Sequence, residues 1–415
     1  MGSPLFLRRA LATALCLAFA LTATVSSAQG SKSRGSATAK ASPPAPTTAA
    51  TQGIALAGAP QIAARSWLLV DVTTGQLLAA SDPDQRVEPA SLTKLMTAYL
   101  VFNALKDKSL APDLRPPVSQ AAWKAIGSRM FVDPAKSATI DELLHGLIIQ
   151  SGNDAAILLA EAVAGSEEAF ATRMNREAER LGMKNSRFTN ASGLPDAQHY
   201  STARDLAILA MRLIADHPDY YGYYSQREYT HNGIKQPNRN RLLFIDPTVD
   251  GLKTGHTDAA GYCLIASSVR EQPGAGFSRR LLSVVLGAAS ESARAIESQK
   301  LLNYGFASFD VVRLYEAREK VASYPIWKGQ SNEIKAGFET PVRVTVLRGQ
   351  GDRVRGEIER ISPLVAPIAK GQQVGTLRVK LDDKVIAEQP LVALDAVEQA
   401  GWFGRAWDTI QLWFK

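Results

Sequence analysis

Segments with the pattern of β-strands lie on both sides of a long stretch with helical periodicity. The strand candidates are a β-hairpin around Thr73-Thr74-Gly75 and two later segments, Gly261–Val269 and Leu281–Gly287. Apolar residues recur at helical spacing from Pro89 onward and in the ranges 140–164, 167–182, 202–215 and 291–305. Strands at both ends with helices between them predict an α+β domain whose terminal strands share one sheet.

The pattern changes after about residue 310. Valines alternate with polar residues at 342–346, and a second alternation at 377–381 precedes the turn Asp382-Asp383. Turn residues separate these short runs, as in a small all-β sandwich domain. We therefore predict a catalytic domain at 61–310, a β-rich domain at 311–398 and a terminal helix at 399–415.

The first residues have the composition of an export signal. Arg8 and Arg9 precede an apolar run that ends in small residues at Ala28, which predicts a signal peptide at 1–28. An uncleaved membrane anchor is the alternative, but the run is short and rich in alanine. Residues 29–60 contain no aromatic or acidic residue and predict a flexible tether, because they cannot bury enough apolar surface to order themselves.

The composition excludes several classes of protein. With 46% hydrophobic and 21% charged residues, the 415-residue chain can bury a large core and is not a disordered protein. Two cysteines, Cys16 and Cys263, exclude a disulfide scaffold and a multi-cysteine zinc site. Five scattered histidines give no reason to expect a metal or an organic cofactor. The net charge of +7 is too diffuse to indicate nucleic acid as a partner.

The first motif with chemical meaning is Ser91-Leu92-Thr93-Lys94, at the expected start of a helix after Pro89. A spacing of three places the serine and the lysine on one helical face, so the amine can reach the hydroxyl. A lysine of lowered pKa can take the proton of a serine and make it a nucleophile. Taken alone, the motif also fits a serine at the N-terminus of a helix followed by a solvated lysine, because Ser-x-x-Lys is common.

Two further motifs follow in order. Ser151-Gly152-Asn153 comes after an apolar run and before another helix, and Lys253-Thr254-Gly255 leads into a predicted strand. Each is common by itself. The ordered set of three is the signature of the penicillin-recognising serine enzymes.

On these residues the chain resembles the D-alanyl-D-alanine carboxypeptidases of the low-molecular-mass penicillin-binding protein group, which are serine-type and peptidase S11-like. The resemblance runs from about residue 62 to the C-terminus and includes the strings 88–97, 151–155, 238–240 and 250–257. It implies a penicillin-binding/β-lactamase-like transpeptidase domain, a small all-β sandwich and a C-terminal amphipathic helix. It also implies removal of the terminal D-alanine from peptidoglycan pentapeptides, with β-lactam antibiotics as inhibitors.

The resemblance assigns three catalytic residues. Ser91 would attack the peptide carbonyl, with Lys94 as its base and Ser151 relaying a proton to the departing amine. Burial and a second cation, Lys253, would lower the pKa of Lys94. The backbone amides of Ser91 and His256 would form the oxyanion hole.

The remaining residues would hold the substrate. Lys253 and Thr254 would bind its terminal carboxylate, with Arg294 and Arg239 as weaker additions. Asn153 would hold Lys94 and the substrate backbone. Gly255 would let the substrate lie along the strand. The complete predicted substrate-binding set is Asn153, Lys253, Thr254, Gly255, His256, Arg239 and Arg294.

Three alternatives share parts of this pattern. A β-lactamase carries the same motifs, but the Glu-x-x-Leu-Asn pattern of one large class is absent between Ser151 and Lys253. A DD-endopeptidase that cuts crosslinks remains open. A non-catalytic wall-binding scaffold is disfavoured because Ser91, Lys94, Ser151 and Lys253 are intact.

The C-terminal residues predict a membrane contact. On a helical wheel, most of the large apolar side chains of residues 402–415 fall on one face, including Trp402, Trp407 and Trp413. A helix packed on the β-rich domain would show the same pattern, but three indoles favour a membrane interface. The segment is too short to span a bilayer. We expect residues 400–415 to attach the exported protein peripherally to the periplasmic face of the inner membrane.

Overall fold

The computed structural model describes residues 59–274 and 276–401. The predicted signal peptide, nearly all of the predicted tether and the predicted helical residues 402–415 lie outside these residues. Within them, no helix is both long enough and apolar enough to cross a bilayer.

The described residues form helices and strands that we number in chain order. The helices are α1 Lys94–Lys106, α2 Gln120–Trp123, α3 Ile140–His145, α4 Asn153–Ala164, α5 Glu167–Leu181, α6 Ala203–Asp216, α7 Pro218–Tyr221, α8 Leu242–Ile245 and α9 Glu291–Ser308. The strands are β1 Ser66–Asp71, β2 Gln76–Ser81, β3 Glu228–His231, β4 Ile234–Pro237, β5 Val249–Thr257, β6 Gly261–Glu271, β7 Ser278–Ala288, β8 Phe309–Tyr315, β9 Ala322–Pro325, β10 Glu333–Gly337, β11 Val342–Leu347, β12 Val354–Arg360, β13 Gln373–Leu381 and β14 Lys384–Ala393.

The first sheet joins the two ends of the α+β domain. Its strand order is β2-β1-β7-β6-β5, with β1 antiparallel to β7. The prediction that the terminal strands share one sheet is therefore confirmed. The hairpin β3–β4 was not predicted, because its strands have only four residues each.

Helix α1 lies in the core of this domain. Its residues are buried around nearly the whole circumference, and it contacts α4, α5 and α6. A helix that is apolar on every side is stable only when other elements surround it. This burial fixes the N-terminus of α1, where the first sequence motif lies.

The helical range predicted at 140–164 is interrupted at Ser151-Gly152-Asn153, and a second helix starts within that motif, in line with the helix that the sequence placed after it. Helix α3 begins at Thr139 with a capping box to Glu142 and passes into a π-helical turn at Gly146–Gln150. Ser151 then has φ 61°, and α4 starts two residues later. The interruption turns Ser151 out of the helix, and its side chain meets Lys253 of β5.

The second domain consists of two antiparallel sheets. The larger has the order β12-β13-β14-β10-β9, and the smaller pairs β11 with β8. The alternating valines of β11 pack in one core with apolar residues of β13 and β14, including Leu377, Val379 and Leu391. The predicted small all-β domain is confirmed, and period-two alternation explains it because one face of each sheet is buried.

A buried polar cluster connects the second domain to the first sheet. Asp71 and Arg279 form an ion pair of 2.7 Å with both side chains almost completely buried. Thr345 of β11 donates its hydroxyl to the same carboxylate at 2.9 Å. The backbone N–H of Thr345 also donates to Gln76, which donates back to the carbonyl of Thr345.

Candidate active site

The serine and lysine of the first motif are adjacent at the start of α1. Ser91 lies in a 3₁₀ turn, Ala90–Thr93, which we call the serine turn, and it is partly exposed. Lys94 is the first residue of α1 and is 1% exposed. The distance from Lys94 Nζ to Ser91 Oγ is 3.0 Å. The predicted pairing of amine and hydroxyl is therefore present in the structure.

The amine of Lys94 has three polar neighbours. Besides Ser91 Oγ, it lies 2.7 Å from Asn153 Oδ1 and 2.6 Å from the carbonyl oxygen of Ser192. A neutral amine has two N–H bonds and one lone pair. Because Asn153 Oδ1 and the Ser192 carbonyl can only accept, they take the two N–H bonds and leave the lone pair for the hydroxyl of Ser91.

The surroundings lower the pKa of Lys94 to about 7. Burial is the main cause, and the guanidinium of Arg239 adds to it, whereas the carboxylates of Asp154 and Glu167 oppose it. Lys253, the cation expected from the sequence, interacts with Lys94 as well, because the charge of Lys94 lowers the pKa of Lys253 and such an interaction is mutual. At neutral pH a large share of Lys94 is in the basic form.

The second and third motifs meet across the cleft. Lys253 Nζ donates to Ser151 Oγ at 2.8 Å, and both side chains are buried. Lys253-Thr254-Gly255 lies inside β5, whereas the sequence placed it before a strand. Burial lowers the pKa of Lys253 well below its usual value, and the nearby cations Lys94, Arg239 and Arg294 lower it further.

Strand β5 packs closely against the serine turn. A Cβ added at Gly255 would lie 3.0 Å from the carbonyl oxygen of Pro89, so a side chain would push the strand away. Two residues further along the strand, the Thr257 hydroxyl donates to the carboxylate of Glu88 at 2.9 Å and adds a second contact between β5 and the residues before Ser91. His256 is exposed, and its ring lies 4.1 Å from that of Tyr262.

The two predicted arginines both lie near Lys253. Arg239 donates to the carbonyl of Gln150 at 3.1 Å, and Arg294 donates to the carbonyl of Gly255 at 3.2 Å. Burial lowers the pKa of each guanidinium. The amine of Lys253 and the two guanidinium groups therefore lie close enough to interact, and the carboxylate of Glu291 lies 3.8 Å from Arg294.

Sequence reasoning missed two supports of the site. Asp154 accepts hydrogen bonds from the backbone N–H groups of Met130, Phe131, Val132 and Ala155, which ties the loop between α2 and α3 to the start of α4. The segment 189–194 provides the Ser192 carbonyl that binds Lys94. The aspartate directly after Ser-Gly-Asn can be recognised in the sequence, whereas a contact made by a backbone carbonyl has no sequence signature.

Cys263 is a buried residue of β6. Its side chain is inaccessible, and burial raises the pKa of its thiol to about 11. In the part of the chain that the structure describes, no three His, Cys, Asp or Glu side chains converge to hold a metal ion.

Ser-x-x-Lys lies at a helix start, Ser-x-Asn follows a π-helical turn, and Lys-Thr-Gly lies on the facing strand. An α+β domain with these motifs in these places is a penicillin-recognising serine enzyme. The family model for D-alanyl-D-alanine carboxypeptidase matches residues 54–290. The model for the C-terminal domain of penicillin-binding protein 5 matches residues 309–399. The chain belongs to the D-alanyl-D-alanine carboxypeptidase family, and its function is that of a serine-type DD-carboxypeptidase.

Relatives support this over most of the chain. It is 42% identical to D-alanyl-D-alanine carboxypeptidase DacC of Escherichia coli, covering 86% of this chain and 90% of that protein. It is 39% identical to DacA of the same organism, with 86% and 89% covered. The structure of penicillin-binding protein 5 from Haemophilus influenzae matches at 39% identity with a TM-score of 0.76, covering 82% of this chain and 99% of that one. Penicillin-binding protein D2 of Listeria monocytogenes, in an ampicillin-bound form, matches at 32% identity and a TM-score of 0.54, covering 60% and 100%.

Proposed function

We propose that Ser91 carries the acyl-enzyme of this carboxypeptidase and that Lys94 is its base. Ser91 Oγ bonds to the carbonyl carbon of the penultimate D-alanine while its proton passes to Lys94 Nζ. The C–N bond to the terminal D-alanine breaks, and the proton held by Lys94 passes through Ser151 to the departing amine, so that Lys94 is neutral again. Water then attacks the ester, gives a proton to Lys94 and releases Ser91, which regains its hydrogen.

The observation that carries this proposal is the position of Lys94. Its buried amine contacts Ser91 Oγ at 3.0 Å while two fixed acceptors occupy its other hydrogen-bonding directions. A base whose pKa lies near the working pH is both available in its basic form and strong enough to take a proton. The pKa of about 7 meets this condition.

The cluster of Lys253, Arg239 and Arg294 suits the free carboxylate of the terminal D-alanine. Lys253 would bind it directly, with Thr254 as a hydroxyl donor and Arg294 and Arg239 as neighbouring charges. A bound carboxylate would favour the charged form of Lys253, which burial otherwise disfavours. The substrate backbone would lie beside Gly255, with its carbonyl oxygen between the backbone amides of Ser91 and His256.

The partners follow from this chemistry. The stem pentapeptide of peptidoglycan is the substrate, and β-lactams are inhibitors because they would acylate the same serine. The enzyme would act in peptidoglycan synthesis and remodelling from the periplasmic face of the inner membrane, attached through residues 400–415. The apolar face and three tryptophans of that segment support this position.

Two assays test the proposal. A fluorescent penicillin should label the wild-type protein, and a free pentapeptide should lose its terminal D-alanine. Labelling without release of D-alanine, but with rapid penicillin hydrolysis, would indicate a β-lactamase. Cleavage of crosslinked peptides in preference to pentapeptides would indicate a DD-endopeptidase. The absence of both labelling and release would indicate a scaffold.

A further inference from the structure

A buried histidine contacts the 3₁₀ turn that carries Ser91. His199 lies in the segment between α5 and α6 and is 3% exposed. Its Nε2 is 2.8 Å from Thr93 Oγ1, and Thr93 lies between Ser91 and Lys94 in the first motif. Its Nδ1 is 3.2 Å from the backbone nitrogen of Thr189. One ring therefore connects the serine turn to the segment 189–194.

The hydrogen bonds determine which nitrogen of His199 carries the hydrogen. The backbone N–H of Thr189 can only donate, so Nδ1 must accept from it. In a neutral ring Nε2 then carries the hydrogen and donates to Thr93 Oγ1. Burial favours this neutral form and lowers the pKa of His199 to about 4, while Asp196 opposes the shift. The ring also makes an edge contact with Phe188, which fixes its plane.

The segment that His199 holds is folded around Asn190. The side-chain oxygen of Asn190 accepts from the backbone N–H groups of Ser192, Gly193 and Leu194. Gly193 has φ 82°, and a Cβ added there would lie 1.8 Å from the carbonyl oxygen of Ala90. The segment therefore packs directly on the residue before Ser91.

This segment presents the Ser192 carbonyl to Lys94 at 2.6 Å. That carbonyl is one of the two acceptors that direct the lone pair of Lys94 towards Ser91. A shift of the segment relative to the serine turn would move the carbonyl and free the amine to rotate. His199 and Thr93 form a side-chain hydrogen bond between the two parts.

We propose that His199 is a positioning residue for acylation. Through Thr93 it holds segment 189–194 in place against the serine turn. The Ser192 carbonyl then keeps the lone pair of the Lys94 amine directed at the Ser91 hydroxyl. His199 touches neither the substrate nor the reacting atoms. The proposal rests on the proposed role of Lys94 as the base and adds the element that orients it.

The test compares His199→Leu with His199→Gln, and Thr93→Val with Thr93→Ser. Leucine and valine remove the hydrogen bond, whereas glutamine keeps a donor near Thr93 and serine keeps the acceptor. His217→Leu is the matched control, because His217 is another buried histidine of this domain and contacts the rings of Tyr99 and Phe102. Penicillin acylation rates are measured from pH 5 to pH 9, together with the melting temperature.

We expect His199→Leu and Thr93→Val each to slow acylation by about 10²-fold, as expected for a reacting group displaced by about 1 Å. The acid limb of the pH profile should also move to lower pH, because the cation of Lys94 loses an acceptor. The double variant should be no slower than either single variant. His199→Gln and Thr93→Ser should recover most of the rate.

The control separates positioning from simple loss of stability. His217→Leu should leave the acid limb in place, whatever change of melting temperature it produces, because neither nitrogen of that ring has a hydrogen-bond partner in the described part of the chain. If His199→Leu lowers the melting temperature equally and leaves the limb in place, or if it acylates at the wild-type rate, the positioning role is wrong. Ser91→Ala is assayed in parallel. Continued acylation of that variant would overturn the proposed function itself, whereas its loss together with an unaffected His199→Leu would overturn only this inference.

Discussion

Lys253 Nζ and Ser151 Oγ are 2.8 Å apart, although the two residues are 102 positions apart in the sequence. The contact repeats the amine–hydroxyl pairing of Lys94 and Ser91 on the opposite side of the cleft. The two amines are close enough for the charge of Lys94 to lower the pKa of Lys253. The site therefore holds two serine–lysine pairs, and the protonation states of their buried lysines are linked.

Ser91→Ala should form no covalent adduct with penicillin, because the attacking oxygen is removed. Intact-mass measurement after incubation with the antibiotic checks this. Ser151→Ala is the matched variant, and it should still form an adduct, more slowly, because it keeps the nucleophile and loses only the relay. An adduct on Ser91→Ala would contradict the assignment.

The acylation rate should rise with pH through about 7 in the wild-type enzyme. Lys94 acts as a base only when neutral, and its pKa lies at about 7, so the basic form increases as pH rises through that value. Stopped-flow measurement of penicillin acylation gives the profile. Lys94→Ala should lose the chemical step with the greater part of reversible binding kept. A flat profile across pH 5–9 would be incompatible with this base.

Binding of a substrate carboxylate should be accompanied by proton uptake. Burial and neighbouring cations favour the neutral form of Lys253, and an anion next to it favours the charged form. Calorimetry of a D-Ala-D-Ala peptide binding to Ser91→Ala, in buffers of different ionisation enthalpy, measures the protons taken up. Adding Lys253→Arg to that variant should reduce the uptake, because arginine stays charged. Equal uptake in both proteins would mean that Lys253 does not hold the carboxylate.

Asp154→Asn should affect both stability and the pH profile. The carboxylate accepts four backbone N–H groups, and weakening such charged hydrogen bonds should lower the free energy of unfolding by about 2 kcal/mol. The charge of Asp154 also raises the pKa of Lys94, so its removal should move the acid limb of acylation to lower pH. Chemical denaturation and the acylation profile measure the two effects. An unchanged limb would show that Asp154 acts on the loop alone.

Deletion of residues 400–415 should release the processed protein from membranes. The removed segment contains the apolar face with three tryptophans, while the described active-site residues remain. Fractionation of cells and D-alanine release from a free pentapeptide give the two readouts. A truncated protein that still sediments with membranes after signal cleavage would place the attachment elsewhere.

The fold could be predicted where periodicity was long and regular. The strands at both ends and the helix at Lys94–Lys106 follow from patterns of apolar residues that burial requires. The helix after Ser151-Gly152-Asn153 could be predicted, but the π-helical turn before it could not, because the apolar run there continues the helical pattern and contains no proline.

The site could be predicted where side chains carry the chemistry. Ser91 and Lys94 are recognisable because their spacing alone brings the two groups together. The effect of Arg239 on Lys94 depends on a fold that joins distant segments, and the Ser192 carbonyl has no side-chain signature. The sequence therefore named the reacting groups and left out much of what orients them.

The cluster of Asp71, Arg279 and Thr345 makes the two domains thermodynamically dependent on each other. Unfolding the second domain would remove Thr345 from the Asp71 carboxylate and expose the buried ion pair to water from one side. The first sheet would then lose a partner of a buried charge, which weakens it. The two domains should therefore melt as a single cooperative transition, and a truncation ending at residue 310 should be less stable than the longer chain even though it retains every residue of the cleft.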